Sequence, residues 1–317
     1  MQETAEMANG KIAIVFSGQG AQYPGMGRGL YENSPAARDV FDKAERVRPG
    51  TSERIFFGSE AQLAETGNTQ PCVFCVGLAA AAALREAGVE ADILAGFSLG
   101  EIAALTFLGA VSFEDGLRLV CERAGLMREA AEGMDAGMMA VLKLPDGEVA
   151  AACAEFDSLY PVNFNSPNQV VVAGLKGELG LFERRVRELG GRAVPLKVGG
   201  AFHSPMMEGA AAAFSKALGA YEISRPGIPL YSNVTARPYG AGTDVKANLS
   251  KHICSPVLWR ESVENMILDG AGTFIETGPG KTLSGLVSRI SDKVRVYNAE
   301  NTESLKKAVE GVTEGAA

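Results

Sequence analysis

Residues 91–110, ADILAGFSLGEIAALTFLGA, join a strand pattern to a helix pattern through one tight turn. The run ADILAGF is typical of a buried strand, and the apolar spacing of LGEIAALTFLGA is that of a helix. Ser98 lies between them in the pentapeptide GFSLG, which has the G-x-S-x-G form of a nucleophile turn. The glycines permit a sharp turn, and the turn would present the Ser98 hydroxyl beside the free N–H groups of the helix. We predict that Ser98 is a nucleophile, the alternative being an ordinary strand-to-helix turn.

Strand and helix patterns alternate on both sides of this turn. KIAIVF at 11–16 is a short β-branched run that predicts a buried strand, and TFIETG at 273–278 predicts another. TQPCVFCVGLAAAAALREAG at 69–88 is apolar almost all round and predicts a central helix. This alternation predicts an α/β fold with helices on both faces of a sheet.

The pattern of strands and helices changes after a glycine-rich break over residues 133–137. Two short strand–helix units follow it, a pattern that resembles a ferredoxin-like insert. We predict a hydrolase-like α/β body formed by 11–132 and 201–300, with a small ferredoxin-like α+β subdomain inserted at 133–200. The remaining residues are predicted to be a leader or tag at 1–10 and a C-terminal tail at 301–317.

Composition excludes several classes of function. The chain has 317 residues and a net charge of −8, and no block of Lys and Arg offsets that charge, which argues against nucleic acid as a partner. No run of 18 apolar residues is present, so we expect no membrane span. The first ten residues lack the basic and apolar stretches of a signal peptide. The odd number of cysteines, five, then predicts reduced thiols and a cytoplasmic location.

A serine nucleophile needs a base, and the chain offers two histidines. His203 lies in GAFHSPMM, after a glycine-rich turn and at the start of a predicted helix, where a catalytic group would be accessible. His252 lies among polar helix residues in NLSKHICSP and is predicted to be a surface histidine. We therefore predict that His203 is the base.

The turn Gly18-Gln19-Gly20 directly follows the first predicted strand. A glycine-rich turn at the carboxyl end of a strand can bring a backbone N–H close to an oxyanion. The alternative is any strand-to-helix turn.

Seven motifs make the chain resemble the malonyl-CoA:acyl carrier protein transacylases, an acyltransferase family, over about residues 11–300. Any one motif would be weak evidence, but all seven occur in the family's order. They are VFSGQGAQYPGMG (15–27), GFSLGE (96–101), CERAGLM (121–127), VNFNSPNQVVVAG (162–174), GAFHSPMM (200–207), SPVLW (255–259) and ETGPGKTLSGL (276–286).

The resemblance implies a role for each matching residue. Ser98 would be acylated, His203 would be its base, and the amides of Gln19 and Leu99 would form the oxyanion hole. Arg123 would grip the malonyl carboxylate, which suits a guanidinium because its fork makes two parallel hydrogen bonds to a carboxylate. From the residues alone, the alternative is that Arg123 is an exposed helix arginine.

Three further residues follow from the same resemblance. Asn165 would bind substrate, and Phe202 would limit the space at the acyl α-carbon, since related polyketide acyltransferases carry Phe before the histidine when they select malonyl. Leu258 stands where the family often has Gln, and its main-chain carbonyl would orient His203 in place of a triad carboxylate. The chain also has Phe97 where the family often has His before the nucleophile, which should alter packing beneath the turn.

These observations predict an enzyme that transfers malonyl from malonyl-CoA to the phosphopantetheine thiol of an acyl carrier protein, in fatty-acid or polyketide synthesis. We expect it to use no metal or cofactor and to act as a monomer. Two alternatives stay open: an α/β-hydrolase such as an esterase or thioesterase, whose triad runs Ser, Asp or Glu, His, and a non-catalytic carrier-binding module.

Overall fold

The computed structural model describes residues 10–314. The predicted leader at 1–10, apart from Gly10, therefore lies outside the described residues. The strands are β1 Lys11–Phe16, β2 Ile93–Gly96, β3 Ala136–Leu142, β4 Leu159–Ser166, β5 Gln169–Leu175, β6 Arg192–Pro195, β7 Leu230–Tyr231, β8 Ala271–Thr277 and β9 Arg295–Ala299.

Helices connect these strands. They are α1 Arg28–Asn33, α2 Pro35–Val47, α3 Thr51–Phe57, α4 Glu60–Ala64, α5 Thr66–Glu86, α6 Gly100–Phe107, α7 Phe113–Ala131, α8 Asp146–Cys153, α9 Lys176–Glu188, α10 Glu208–Ala217, α11 Val245–His252, α12 Trp259–Leu268, α13 Thr282–Ile290 and α14 Thr302–Glu314.

Five strands form a parallel sheet in the order β7-β2-β1-β8-β9. The last residue of β1, Phe16, is in register with Gly96 at the end of β2 and with Thr277 at the end of β8. The carboxyl ends of these strands therefore meet at one edge of the sheet, which is where ligands bind in open α/β folds. The turns that carry Gln19 and Ser98 leave from this edge.

The other four strands form an antiparallel sheet in the order β4-β5-β3-β6, with α8 and α9 packed against it. This is the βαββαβ arrangement of a ferredoxin-like unit, and it has its own apolar core, which includes Val141, Val149 and Phe182. The predicted fold class, an α/β body with a small inserted α+β subdomain, is confirmed. The segment before α12 pairs with β4 at Val257, whose carbonyl accepts from Phe164 N at 3.0 Å and whose N–H donates to Val162 O at 2.8 Å.

Helix α5 is long and apolar enough, by length and composition alone, to cross a membrane. However, 83% of its most apolar window is buried inside the protein, as expected of the central helix predicted from the sequence. Cys72 and Cys75 lie on it as free, buried thiols.

The C-terminal residues differ from the prediction of a tail beginning at 301. Residues 302–314 form α14, which packs against β9 and α5. The physical reason is an apolar stripe at helical spacing: Ala308 is fully buried, and Leu305, Val309 and Val312 pack partly buried against the same core.

Candidate active site

Ser98 occupies the turn between β2 and α6 in a strained conformation, with φ of +53°. A left-handed backbone is unfavourable for a residue with a side chain, so the surroundings must hold it there. The glycines on either side are required by contact. A Cβ on Gly96 would lie 1.9 Å from the carbonyl carbon of Gly100, and a Cβ on Gly100 would lie 2.3 Å from the oxygen of Phe16. The sequence pattern is thus explained by how closely β1, β2 and α6 approach one another.

His203 faces Ser98 across 105 positions of sequence. Ser98 Oγ donates to His203 Nε2 at 2.9 Å, and His203 Nδ1 donates to the main-chain carbonyl of His252 at 2.9 Å. A carbonyl can only accept, so it selects the tautomer whose Nε2 is free to take a proton. His203 also has a positive φ, +62°, a conformation that its surroundings must hold. The structure therefore pairs the predicted nucleophile with the predicted base.

The prediction for Leu258 was wrong in position. The carbonyl that orients His203 belongs to His252, at the end of α11. The Leu258 carbonyl instead accepts from Ser262 N at 3.0 Å and Ser262 Oγ at 2.8 Å, because Leu258 is the N-cap of α12. The resemblance implied a main-chain carbonyl in this segment, and the structure places it six positions earlier, at His252.

His252 is also not the surface residue that its polar neighbours predicted. It is 1% exposed, and its ring stacks on that of His203 at 5.0 Å between centroids. Phe97 packs edge-on against Trp259 at 5.6 Å, beneath the nucleophile turn.

The pKa of His203 is lowered to about 4, chiefly by burial and also by the positive Arg123, while hydrogen bonds with the main chain at His252 and Ser255 partly oppose the change. A base acts only when unprotonated, so the acylation rate of Ser98 should rise with pH through about 4 and then level off. Single-turnover reaction with a neutral sulfonyl fluoride measures this without titrating a substrate carboxylate. A midpoint near the ordinary histidine value of about 6.5 would contradict the prediction. Circular dichroism over the same range controls for acid unfolding.

Arg123 projects from α7 to the same hydroxyl and is 2% exposed, not an exposed helix arginine. Its Nη2 donates to Ser98 Oγ at 3.0 Å and its Nη1 donates to Gln70 Oε1 at 2.7 Å. Burial lowers the pKa of Arg123 to about 10, opposed by the negative Glu101, so the guanidinium is charged at neutral pH. Among residues 10–314 it forms no ion pair, which leaves a buried positive charge beside the nucleophile able to take a carboxylate.

Gln19 and Leu99 belong to two turns that approach each other closely at the nucleophile. Leu99 is the N-cap residue of α6, and the first N–H groups of a helix lack an intrahelical acceptor. Gln19 lies in the turn after β1, whose neighbour Gly18 passes so close to the Ser98 turn that a Cβ there would sit 2.7 Å from the Phe97 oxygen. The side chain of Gln19 donates to Thr66 Oγ1 at 3.5 Å. An oxyanion hole needs two N–H donors directed at one oxygen.

A cavity of about 650 Å³ opens between the two sheets; the turn after β1 and Phe97 line it, whereas Ser98, Arg123 and His203 do not. Asn165 and Asn163 line it, and the side-chain oxygen of each is buried without a hydrogen-bond partner in the described part of the chain. Buried amides normally find partners, so these two are suited to bind a polar substrate. The other polar or charged residues along the cavity are Ser17, Gln19, Gln22, Tyr23, Glu60, Gln169, Lys197, Glu276 and Thr282.

Phe202, directly before the base, is 5% exposed. It does not line the larger cavity. It borders a smaller one of about 320 Å³, together with Thr66 and Arg128. Thr66 is the residue that the Gln19 side chain contacts, so the smaller cavity lies close to the turn that carries Gln19.

Three residues of the site were missed by sequence reasoning: Gln70, Glu101 and Asn233. Gln70 is nearly fully buried on α5 and accepts from Arg123. Asn233 holds the Ser98 turn, and Glu101 in turn holds Asn233. Burial raises the pKa of Glu101 to about 7. The charge of Glu101 directly before the mostly apolar run IAALTF was the one available signal, because a carboxylate on a buried helix needs partners.

Comparisons with known proteins give matches over nearly the whole chain. Residues 13–312 match the family described as acyl transferase domain. The malonyl CoA-acyl carrier protein transacylase of Bacillus subtilis is 37% identical over 311 residues, covering 96% of this chain and 98% of that protein. The protein of the same name from Synechocystis is 36% identical over 295 residues, covering 93% of this chain and 99% of that protein.

Solved structures agree with this match. The crystal structure of the Clostridium perfringens malonyl CoA-acyl carrier protein transacylase superposes with a TM-score of 0.91 at 36% identity, covering 96% of this chain and 98% of that one. A malonyl-transacylase in complex with a type II polyketide acyl carrier protein superposes with a TM-score of 0.91 at 32% identity, covering 95% and 99% of the two chains.

Proposed function

Because this chain belongs to the acyl transferase domain family, alongside the malonyl CoA-acyl carrier protein transacylases, we propose that Ser98 carries the malonyl group during transfer. The chain is an acyltransferase that moves malonyl from malonyl-CoA to an acyl carrier protein, supplying fatty-acid or type II polyketide synthesis. The resemblance predicted from seven motifs is confirmed.

The reaction has two displacement steps. Ser98 Oγ attacks the thioester carbonyl while His203 Nε2 takes the hydroxyl proton, and the carbonyl π electrons move to the oxygen. The amides of Gln19 and Leu99 stabilise that oxyanion. When the tetrahedral centre collapses, the C–S bond breaks and His203 returns the proton to the sulfur of coenzyme A. The phosphopantetheine thiol then gives its proton to His203 and attacks malonyl-Ser98, and the ester oxygen of Ser98 recovers the proton.

One observation carries the proposal: the Ser98 hydroxyl lies within hydrogen-bond distance of both His203 Nε2 and the Arg123 guanidinium. The first contact supplies a base. The second places a fixed positive charge where an acyl group on Ser98 would extend, which favours an acyl group that ends in a carboxylate. The esterase alternative would require a carboxylate on His203 Nδ1, but that atom contacts a main-chain carbonyl.

Radiolabelled malonyl-CoA tests the proposal directly. We expect stoichiometric label on the peptide that contains Ser98, and release of that label as malonyl-carrier when holo-acyl carrier protein is added. A hydrolase would instead release free malonate before the carrier is added. Label on a different peptide would refute the assignment of Ser98.

Phe202 is proposed to restrict the acyl α-carbon. An aromatic ring beside the base leaves little room for a methyl group, and one methyl changes selectivity by ~1–3 kcal/mol. We expect malonyl-CoA to exceed methylmalonyl-CoA in kcat/KM by about ten- to a few hundredfold, and Phe202→Ser to narrow that ratio. Phe202→Leu, which keeps apolar bulk, should narrow it less. An unchanged ratio in Phe202→Ser would mean that the ring only packs the turn that carries His203.

We further propose that the enzyme acts as a cytoplasmic monomer, without nucleic acid or membrane. The net charge of −8 and the buried position of α5 support this. The proposed organisation remains a body of 11–132 and 201–300 with an insert at 133–200, and the cavity lined by Phe97, Asn163 and Asn165 supports substrate binding between them.

A further inference from the structure

Asn233 lies beneath the nucleophile turn, in the loop that follows β7. Strand β7 is the parallel neighbour of β2, so its carboxyl end meets the end of β2 at the same edge of the sheet. Asn233 is 1% exposed. Its Oδ1 accepts from the Ser98 N–H at 2.8 Å, and its Nδ2 donates to the Gly96 carbonyl at 2.6 Å. One side chain therefore holds the turn on both sides of Phe97.

These two bonds act on the strained part of the backbone. Ser98 has φ of +53°, which a residue with a side chain keeps only when its surroundings impose it. The rotation about the Ser98 backbone sets where Oγ points, and Oγ has to reach both His203 and Arg123. A primary amide suits this task because it presents one acceptor and one donor side by side in a fixed plane.

The main chain of Asn233 is itself held in place by two hydrogen bonds. Its N–H donates to Glu101 Oε2 at 2.9 Å, and its carbonyl accepts from Leu258 N at 2.9 Å. Glu101 is fully buried, and its Oε1 accepts from the Tyr239 hydroxyl. Its Oε2 also lies 3.7 Å from Nδ1 of His252, whose carbonyl orients the base. The Glu101 carboxylate therefore lies next to both Asn233, which holds the Ser98 turn, and His252, whose carbonyl orients His203.

We propose that Asn233 is a positioning residue for Ser98: its side-chain amide fixes the turn so that the hydroxyl stays aligned between His203 and Arg123. The inference rests on the proposed role of Ser98. Asn233 touches no reacting atom, so its effect appears in the rate of acylation and not in the affinity for malonyl-CoA.

Asn233→Ala removes both bonds to the turn. We expect single-turnover malonylation of Ser98 to slow by about ten- to a hundredfold with KM for malonyl-CoA unchanged within about twofold, because a displacement of about 1 Å at a reacting group can cost ~10²-fold. Asn265→Ala is the matched control. Asn265 lies on α12 and is also buried, and its Nδ2 donates to the Ala236 carbonyl at 2.8 Å, so it holds the loop that carries Asn233 but does not contact the Ser98 turn. It should lower the melting temperature comparably and leave the rate of the folded protein unchanged.

Asn233→Asp distinguishes positioning from a general loss of structure, and it serves if the alanine variant does not fold. A protonated carboxyl presents one acceptor and one O–H donor, as the amide does, whereas a carboxylate offers only acceptors toward the Gly96 carbonyl. Burial beside Glu101 raises the pKa of such a carboxyl. Above the His203 pKa of about 4, where the wild-type rate has levelled off, we therefore expect malonylation by Asn233→Asp to begin near the wild-type rate and to fall as pH rises.

Two results would overturn the inference: malonylation by folded Asn233→Ala within about twofold of wild type, or an Asn233→Asp pH profile parallel to that of wild type. Both are read as label on Ser98, located by peptide mapping. If the label were instead found elsewhere in the wild-type protein, the proposed function would fail, and that result is separate from either of these.

Discussion

Ser98→Ala is expected to lose covalent malonyl labelling completely while remaining folded. The variant lacks the only atom that the proposed mechanism acylates, and the change removes one hydroxyl from a turn held by Asn233 and by glycine contacts. Labelling is measured by incubation with radiolabelled malonyl-CoA followed by denaturation and counting, with circular dichroism to show that the fold persists. Ser262→Ala is the control, because Ser262 is also buried but its hydroxyl donates to the Leu258 carbonyl. Label on another serine in Ser98→Ala would refute the assignment.

A related prediction concerns the base, His203. His203→Ala should slow labelling by several orders of magnitude, since an unassisted serine hydroxyl is a weak nucleophile near neutral pH. His252→Gln is the matched control: it removes the second imidazole but keeps the main-chain carbonyl that accepts from His203 Nδ1. We expect a far smaller loss in His252→Gln. Equal losses in the two variants would mean that the His252 ring, and not only its carbonyl, takes part in proton transfer.

Arg123→Ala is expected to weaken malonyl transfer far more than acetyl transfer. A charge-assisted hydrogen bond is worth about 1.5–3 kcal/mol, so loss of a bidentate pair should change the ratio of the two kcat/KM values by roughly tenfold to several hundredfold. The measurement is the transfer rate to acyl carrier protein with malonyl-CoA and with acetyl-CoA. Because acetyl lacks the carboxylate, it reports any general damage to the site.

Two variants sharpen the Arg123 result. Arg123→Lys keeps the charge without the planar fork and should give an intermediate malonyl preference. Arg118 lies on the same helix, but its exposed guanidinium pairs with Asp115 at 2.9 Å. Arg118→Ala should therefore leave the ratio of malonyl to acetyl transfer unchanged. Equal losses for malonyl and acetyl in Arg123→Ala would show that Arg123 only supports the fold, through its contact with Gln70.

The nucleophile could be predicted from the sequence because its signal is local. Gly96, Ser98 and Gly100 lie within five positions, and the strand and helix patterns on either side specify the turn without any distant contact. The base could be predicted partly by elimination, since the chain has two histidines. Its orienting carbonyl could not, because every residue has a carbonyl and only the path of α11 decides which one reaches Nδ1.

Burial of polar residues was the least predictable property. His252 was expected at the surface from its polar neighbours, and Arg123 could have lain there, yet both are nearly fully buried. A helix shows which residues share a face, but what covers that face comes from elsewhere in the chain. For Arg123 the cover includes Gln70 and Ser98, which lie 53 and 25 positions away.

The sequence by itself determined the alternation of strands and helices, the inserted subdomain, the nucleophile turn and the family, because these depend on periodicity and on motifs a few residues long. Only the tertiary structure decided that α14 packs in place of a tail, that His252 supplies the orienting carbonyl, and that Asn233 holds the turn 135 positions away. Hydrogen bonds between distant residues need an alignment of a few tenths of an ångström. Such alignment arises only when the sheet brings the carboxyl ends of β1, β2 and β7 together at one edge.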